Sequence, residues 1–306
     1  MMNTWWFYLI IYLIVYIIFT QAFKVTTKSS KNDGALTVLL QFLSGLIVLL
    51  FVPLFKFQFP TNYKTYLLLG IACIFYAIAD RINTTARRGL EVSIYSILGQ
   101  LSTVFLILWG IIFFKETIVL KKIIGALLIL MGNILVIYKK GKFEFNKYII
   151  YSILGNLALS IGISVDVGIS DKFSMPIYVS ATLIVPSLMI LLANRIKISD
   201  VIYEYKTGNK KSILLVVVSW GIAMVTYLKA FQYGNVTTIA PIASVTTILN
   251  VFISYFFLKE KNSLFKKVFA ALLVILGIVL IKIWCIEKLS LLIILTYRLV
   301  CSYNFF

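Results

Sequence analysis

Apolar runs near 20 residues recur along the whole chain, separated by short stretches in which the charges collect. Ten can be counted, at roughly 5–23, 35–55, 65–80, 92–114, 122–138, 148–168, 175–194, 212–230, 236–258 and 267–284. A run of this size crosses a hydrocarbon core of ~30 Å at ~1.5 Å per residue. The runs lack period-2 alternation and are about twice as long as barrel strands, whereas a helix satisfies its backbone polar groups within one segment. Ten membrane-spanning helices are therefore predicted, in an all-α integral membrane protein.

Composition agrees with that pattern. Of 306 residues, 61% are hydrophobic and 13% charged, which is too little polar surface for a soluble domain of this size. The net charge of +18 would suggest a nucleic-acid partner in a soluble protein. Here the Lys and Arg sit singly or in pairs between apolar runs, so membrane orientation is the simpler reading and no nucleic acid is implied. Of 29 basic residues, 19 fall in the connections 1–2, 3–4, 5–6, 7–8 and 9–10. The positive-inside rule then places both termini away from the cytoplasm.

The opening MMNTWWFYLI has no Lys or Arg before its apolar run, unlike a secretory signal peptide, so the first helix is expected to be retained. Trp5 and Trp6 suit an interfacial belt or simply lipid-facing bulk. Cys73, Cys285 and Cys301 have no metal-ligand spacing, and the sequence contains no His. That argues against a zinc site and any His-dependent triad or proton shuttle, and no cofactor is implied.

The most informative feature is a self-similarity 144 residues apart. Residues 86–116, ARRGLEVSIYSILGQLSTVFLILWGIIFFKE, align without a gap on 230–260, AFQYGNVTTIAPIASVTTILNVFISYFFLKE. Val92 meets Val236, Ser93 meets Thr237, Thr103 meets Thr247, and Lys115–Glu116 meets Lys259–Glu260. After one inserted residue, KKIIGALLILMGNILVI from Lys121 falls on KKVFAALLVILGIVLIK from Lys266, with Gly132 on Gly277. The chain divides into five-helix repeats at 1–141 and 142–284, followed by an atypical hydrophobic tail at 285–306. An odd number of spans per repeat inverts the second copy relative to the first, an architecture typical of alternating-access carriers.

The paired endings FFKE at 113–116 and FLKE at 257–260 each close a long helix with small polar residues and precede a short helix with Gly in its latter half. In this the sequence resembles the drug/metabolite transporter superfamily, specifically its EamA-like ten-helix branch, over roughly residues 5–284. The resemblance implies a multi-pass plasma-membrane permease or exporter, not an enzyme. Its partners would be the lipid bilayer and a small organic substrate such as an amino acid or related compound, and a homodimer is compatible with it. The family also carries nucleosides, sugars, amines and drugs, so substrate stays open. Small multidrug members of the superfamily use a carboxylate in their first helix, but helix 1 here has no Asp or Glu. The tail also departs from the family's usual short polar end.

Polar groups at membrane depth are costly, which makes them candidates for a substrate path. Ser93, Ser96, Gln100 and Thr103 are spaced 3, 4 and 3 residues apart, along one stripe of helix 4. Helix 9 carries Thr237, Ser244, Thr247 and Ser254, with the Asn250 amide on a neighbouring face. Gln100 lies 16 residues before Glu116, about 24 Å along a helix, hence near mid-membrane, and Ser244 matches its depth. The two stripes are expected to face each other across a central cavity. Gln41, Asn156, Tyr76 and Trp220 are secondary candidates, the last two at matching repeat positions. Each hydroxyl also has a blander fate, bonding back to its own helix or to a neighbour.

Asp166, near the end of helix 6, would couple transport to protons if desolvated, or else sit in headgroup water. Asp80 and Glu91 flank the short 3–4 connection beside Arg81, Arg87 and Arg88, where surface ion pairs are expected. Glu116 and Glu260 mark helix ends, as interface markers, caps or gates. No nucleotide-binding Gly motif, HExxH or close acidic pair supports an intramembrane enzyme. A channel or a non-transporting assembly partner remains as the alternative.

Overall fold

Nearly all of the described backbone is helical. The computed structural model describes residues 5–113, 120–139, 142–143, 146–166, 169–233, 239 and 242–281. Helix α1 runs Trp5–Ser29, α2 Asp33–Leu49, α3 Tyr63–Gly89, α4 Val92–Leu98, α5 Leu101–Ile112 and α6 Leu120–Ile137. A hairpin, β1 Tyr138–Lys139 and β2 Lys142–Phe143, leads to α7 Lys147–Asp166. Then come α8 Met175–Ala193, α9 Ile198–Thr207, α10 Lys210–Tyr233 and α11 Thr246–Phe257, and α12 Leu264–Ile281.

Among the described residues, eight helical segments are at least 18 residues long and apolar enough to cross a membrane, with α4 and α5 together making one of them. Two further apolar helices, Asp33–Leu49 and Ile242–Phe257, are shorter and coincide with the remaining predicted runs. The second run stops early because Pro53 opens a 3₁₀ turn at Val52–Leu54. The third prediction, 65–80, is corrected more substantially. Helix α3 continues past Asp80 to Gly89, since an apolar-run count ends at the first charge whereas the helix carries its polar residues inward. The connection 195–211 likewise contains a short helix, α9, whose Asp200 carboxylate accepts from Lys197 N at 3.4 Å.

Burial is distributed as expected with lipid as solvent. Leu127, Met131, Ile134, Phe256 and Leu276 are exposed, while Ser93, Ser152, Asn156, Ser160, Thr247 and Ser254 are buried. The helices pair across the two halves: α1 runs along α10, α3 along α7, α2 against α8 and α4 against α11. Helix α6 meets α12 at backbone contact. A Cβ on Gly125 would stand 2.6 Å from the carbonyl oxygen of Gly277, one on Gly277 2.5 Å from that of Gly125, and one on Gly132 2.8 Å from that of Ala270. Ile129 and Val274, both fully buried, fill the space between these two close contacts.

This crossing yields a direct test. Gly277→Leu must push the two backbones apart and is expected to cost about 1–3 kcal/mol, as overpacking does. Gly70, with nothing within 4 Å of an added Cβ, should accept Ala with no loss and a gain of up to ~1 kcal/mol. Thermal unfolding of the detergent-solubilised protein separates the two; equal midpoints for Gly277→Leu and wild type would contradict the contact.

Candidate functional site

A cavity of about 280 Å³ lies where both halves of the chain meet. It is lined from the first half by α1 (Tyr16, Phe19, Thr20, Phe23), α2 (Leu40, Gln41, Ser44), α3 (Asp80, Asn83, Thr84, Arg87) and the α4–α5 region (Tyr95, Ser96, Gly99, Gln100, Ser102). The second half contributes Asn156 and Leu159 of α7, Val216 and Trp220 of α10, and Thr246, Thr247 and Asn250 of α11. The volume is at the small end of the ~300–1,000 Å³ typical of ligand pockets, which suits a small solute.

Of the residues singled out in the sequence, Gln41, Ser96, Gln100, Asn156, Trp220, Thr247 and Asn250 come together around this space. Gln100 Nε2 donates to Thr247 Oγ1 at 3.2 Å, joining the polar stripes of the two repeats. Asn250 Oδ1 accepts from Thr20 Oγ1 at 2.5 Å and from Gln21 Nε2 at 3.3 Å. Three buried atoms of the wall, Gln41 Oε1, Asn83 Oδ1 and Trp220 Nε1, have no hydrogen-bond partner among the described residues. Two acceptors and a donor thus remain unused beside the cavity.

Thr103, Ser244 and Tyr76 are not among the lining residues. The stripe argument assumed one unbroken α-helix over 92–114, whereas α4 ends at Leu98 and α5 starts at Leu101. At the joint, Gln100 N donates to Ile97 O and Thr103 N to Gln100 O, both i to i−3 bonds at 3.1 Å. Such tightened turns rotate side chains by ~120° per residue rather than ~100°, so Ser102 faces the cavity instead of Thr103. An equivalent joint occurs at Val245, whose N–H bonds Ile242 O at 3.0 Å, and Ser244 is buried there.

Tyr76 lies in a separate cluster. Its hydroxyl and that of Tyr178 both donate to the Asp166 carboxylate, tying α3, α7 and α8 together. Asp166 is accordingly placed in a two-phenol clamp away from the cavity.

The charged groups were the least anticipated. Asp80, expected in a surface ion pair, lines the cavity because α3 extends beyond it. Arg87 lies in the last turn of the same helix, its guanidinium carbon 5.2, 4.5 and 4.3 Å from the ring centres of Phe19, Phe23 and Tyr95. The buried Lys24 ammonium caps the helix end, donating to Arg87 O and Arg88 O at 2.7 Å each and to Leu90 O. Glu91 does form an ion pair, but with the buried Lys267 of the second repeat rather than at the surface with the neighbouring arginines.

Glu260 caps a helix, but one in the opposite repeat. Its carboxylate accepts from Val92 N at 2.7 Å, Ser93 N at 3.2 Å and Ser93 Oγ at 2.8 Å, at the first turn of α4. Glu116, its repeat counterpart, lies outside the described residues, as does the tail 285–306. A length-based reading of the sequence could not have found the Lys24 and Glu260 caps, which join positions 63 to 168 residues apart.

Comparison with known proteins bears on what the cavity serves. The model of the EamA-like transporter family matches residues 4–138 and again 146–283. No curated protein matches the chain. Solved structures do, one of them described only as the crystal structure of a protein. It superposes with a TM-score of 0.55 over 92% of this chain and 97% of its own, at 13% identity, a likeness of fold alone.

Glu260→Ala removes three hydrogen bonds from the start of α4 and leaves two N–H groups without their acceptor. Unfolding midpoints should fall by the equivalent of about 1–2 kcal/mol, the usual cost of losing a cap. Glu260→Gln, which keeps acceptor oxygen without charge, should lose less. Identical stability of both variants and wild type would rule out the cap.

Proposed function

We propose, from the premise that this chain belongs to the EamA-like transporter family, that it is a secondary transporter moving a small organic metabolite through its central cavity by alternating access. The supporting architecture is ten spans arranged as two inverted five-helix repeats in a plasma membrane. The observation that carries this reading is the cavity itself, lined by polar groups of both repeats at the depth where two helices are interrupted. Gln100 and Ser244 align in the repeat, and the α4–α5 joint and the joint at Val245 flank those positions. Interrupted helices near the midplane are how many carriers expose backbone and amides to a substrate.

The helix pairings support an inverted pseudo-twofold. Exchanging the repeats converts the α1–α10 pair into α7–α3, and returns α2–α8 and α6–α12 to themselves. The α6–α12 contact follows the same rule at residue level, since the Gly125–Gly277 approach maps onto Ala270–Gly132. Two rigid halves meeting about one axis can rock around a fixed site.

Asp166 is proposed as a structural clamp rather than a proton-coupling group, because its carboxylate is engaged by Tyr76 and Tyr178 outside the cavity.

The test compares solutes in medium and cytosol of cells producing wild type or Gln100→Ala at equal abundance. Loss of the Gln100–Thr247 bond should slow movement of the transported solute by about 2–10-fold, the worth of one hydrogen bond. Single cysteines at positions 96 and 100 should be labelled from one side at a time and shielded by that solute. Labelling indifferent to side and solute would favour a channel, and no solute moved would favour an assembly role.

A further inference from the structure

Arginines in an apolar setting normally find hydrogen-bond partners; on α3 Arg88 does, and Arg81 does through one nitrogen while its buried Nε has none among the described residues. Arg88 pairs with Asp33 at 2.9 Å and donates to Thr27 O at 3.1 Å, while Arg81 donates to Thr85 Oγ1 at 2.8 Å. Arg87 differs. Among the described residues its guanidinium makes no hydrogen bond or ion pair, and it lines the cavity. The rings of Phe19, Phe23 and Tyr95 flank it, and such contacts are worth ~0.5–2 kcal/mol without using any N–H donor. A planar cation with five donors is thereby held among rings at the border of the cavity.

The nearby ammonium cannot serve the same purpose, because Lys24 is committed to three carbonyls of the α3 end. What the Arg87 fork lacks is a flat anion with two coplanar oxygens, the geometry of bidentate recognition. Phe19, stacked on Trp220 at 4.4 Å between ring centres, continues the apolar wall from the cation toward the second repeat. Along α3 in the other direction Asp80 stands seven residues away, about 10 Å at ~1.5 Å per residue. A second anionic group reaching along that wall would meet the Asp80 carboxyl.

We propose that Arg87 anchors the carboxylate of a small organic substrate with one anionic group and an apolar body, which makes the carrier selective for carboxylate-bearing solutes. This rests on the cavity being a transport site.

The test uses the full chain in liposomes loaded with a neutralised small-molecule cell extract, with mass spectrometry of what leaves relative to protein-free liposomes. The solutes that leave should carry one carboxylate, and their efflux should drop by about tenfold or more in Arg87→Gln, the worth of a charge-assisted hydrogen bond. Arg87→Lys, which keeps the charge and loses the fork, should fall between. With wild type alone, efflux of an identified solute should be inhibited by its free carboxylate added outside and not by its amide; this arm stands even if Arg87→Gln fails to fold. Efflux of compounds that carry no carboxylate, phosphate esters included, or full activity in Arg87→Gln, would overturn the anchor and leave transport intact. If wild type releases nothing, transport itself is refuted, and the anchor with it.

Discussion

A polar group in hydrocarbon has no water to fall back on, and each one left without a partner costs several kcal/mol. That constraint is most severe where a helix ends inside the bundle, because four N–H or four C=O groups are released at once. The α3–α4 corner is such a place. Lys24 gathers the carbonyls at the end of α3, and Glu260 gathers the amides at the start of α4. The charges complement the helix dipoles, an ammonium at a C-terminus and a carboxylate at an N-terminus. One cap comes from α1 and the other from beyond α11, so a corner of the first repeat is completed by the second.

The cavity depends on that corner. Arg87 and Tyr95 lie on either side of it, and Ser96, Gly99 and Gln100 follow within two turns. Fixing the α3 end sets where the guanidinium stands, and fixing the α4 start sets the phase of the residues that follow. The second anchor is the α6–α12 crossing, where Gly125, Gly132, Ala270 and Gly277 bring two backbones into contact. Large side chains there would separate the halves and open the bundle to lipid. Between corner and crossing, amides and hydroxyls need only satisfy one another or a solute, as Gln100 and Thr247 do.

Most of the helices were legible because lipid imposes a length and a composition on every span. The cavity was partly legible, since buried amides such as Gln100, Asn156 and Asn250 are too costly to place at random. What escaped had local causes. The run ending near residue 80 hid the polar turns of α3 that carry Asn83, Thr84 and Arg87. Two i to i−3 bonds at Gln100 and Thr103 shifted the stripe, exchanging Thr103 for Ser102. Tyr76 and Trp220 align in the repeat, yet Trp220 stacks on Phe19 beside the cavity while Tyr76 turns to Asp166. Repeat register fixes where a side chain starts, and the partner it finds is a matter of the other helix.

That divergence bears on how a symmetric scaffold handles an asymmetric solute. At the 144-residue offset, Asp80 and Arg87 correspond to Met224 and Phe231. Both cavity charges therefore belong to one helix of the first repeat, whereas the second repeat presents Thr247, Asn250 and the Trp220 indole. If the halves rock as proposed, a charged end held by α3 would stay with the first repeat, because an ion pair is harder to break in a low-dielectric site than a neutral hydrogen bond. The neutral contacts of the second repeat would be those exchanged during the movement. In the proposed carrier, symmetry of the backbone would supply two related conformations, and asymmetry of the side chains would assign one half to hold the solute and the other to open and close over it.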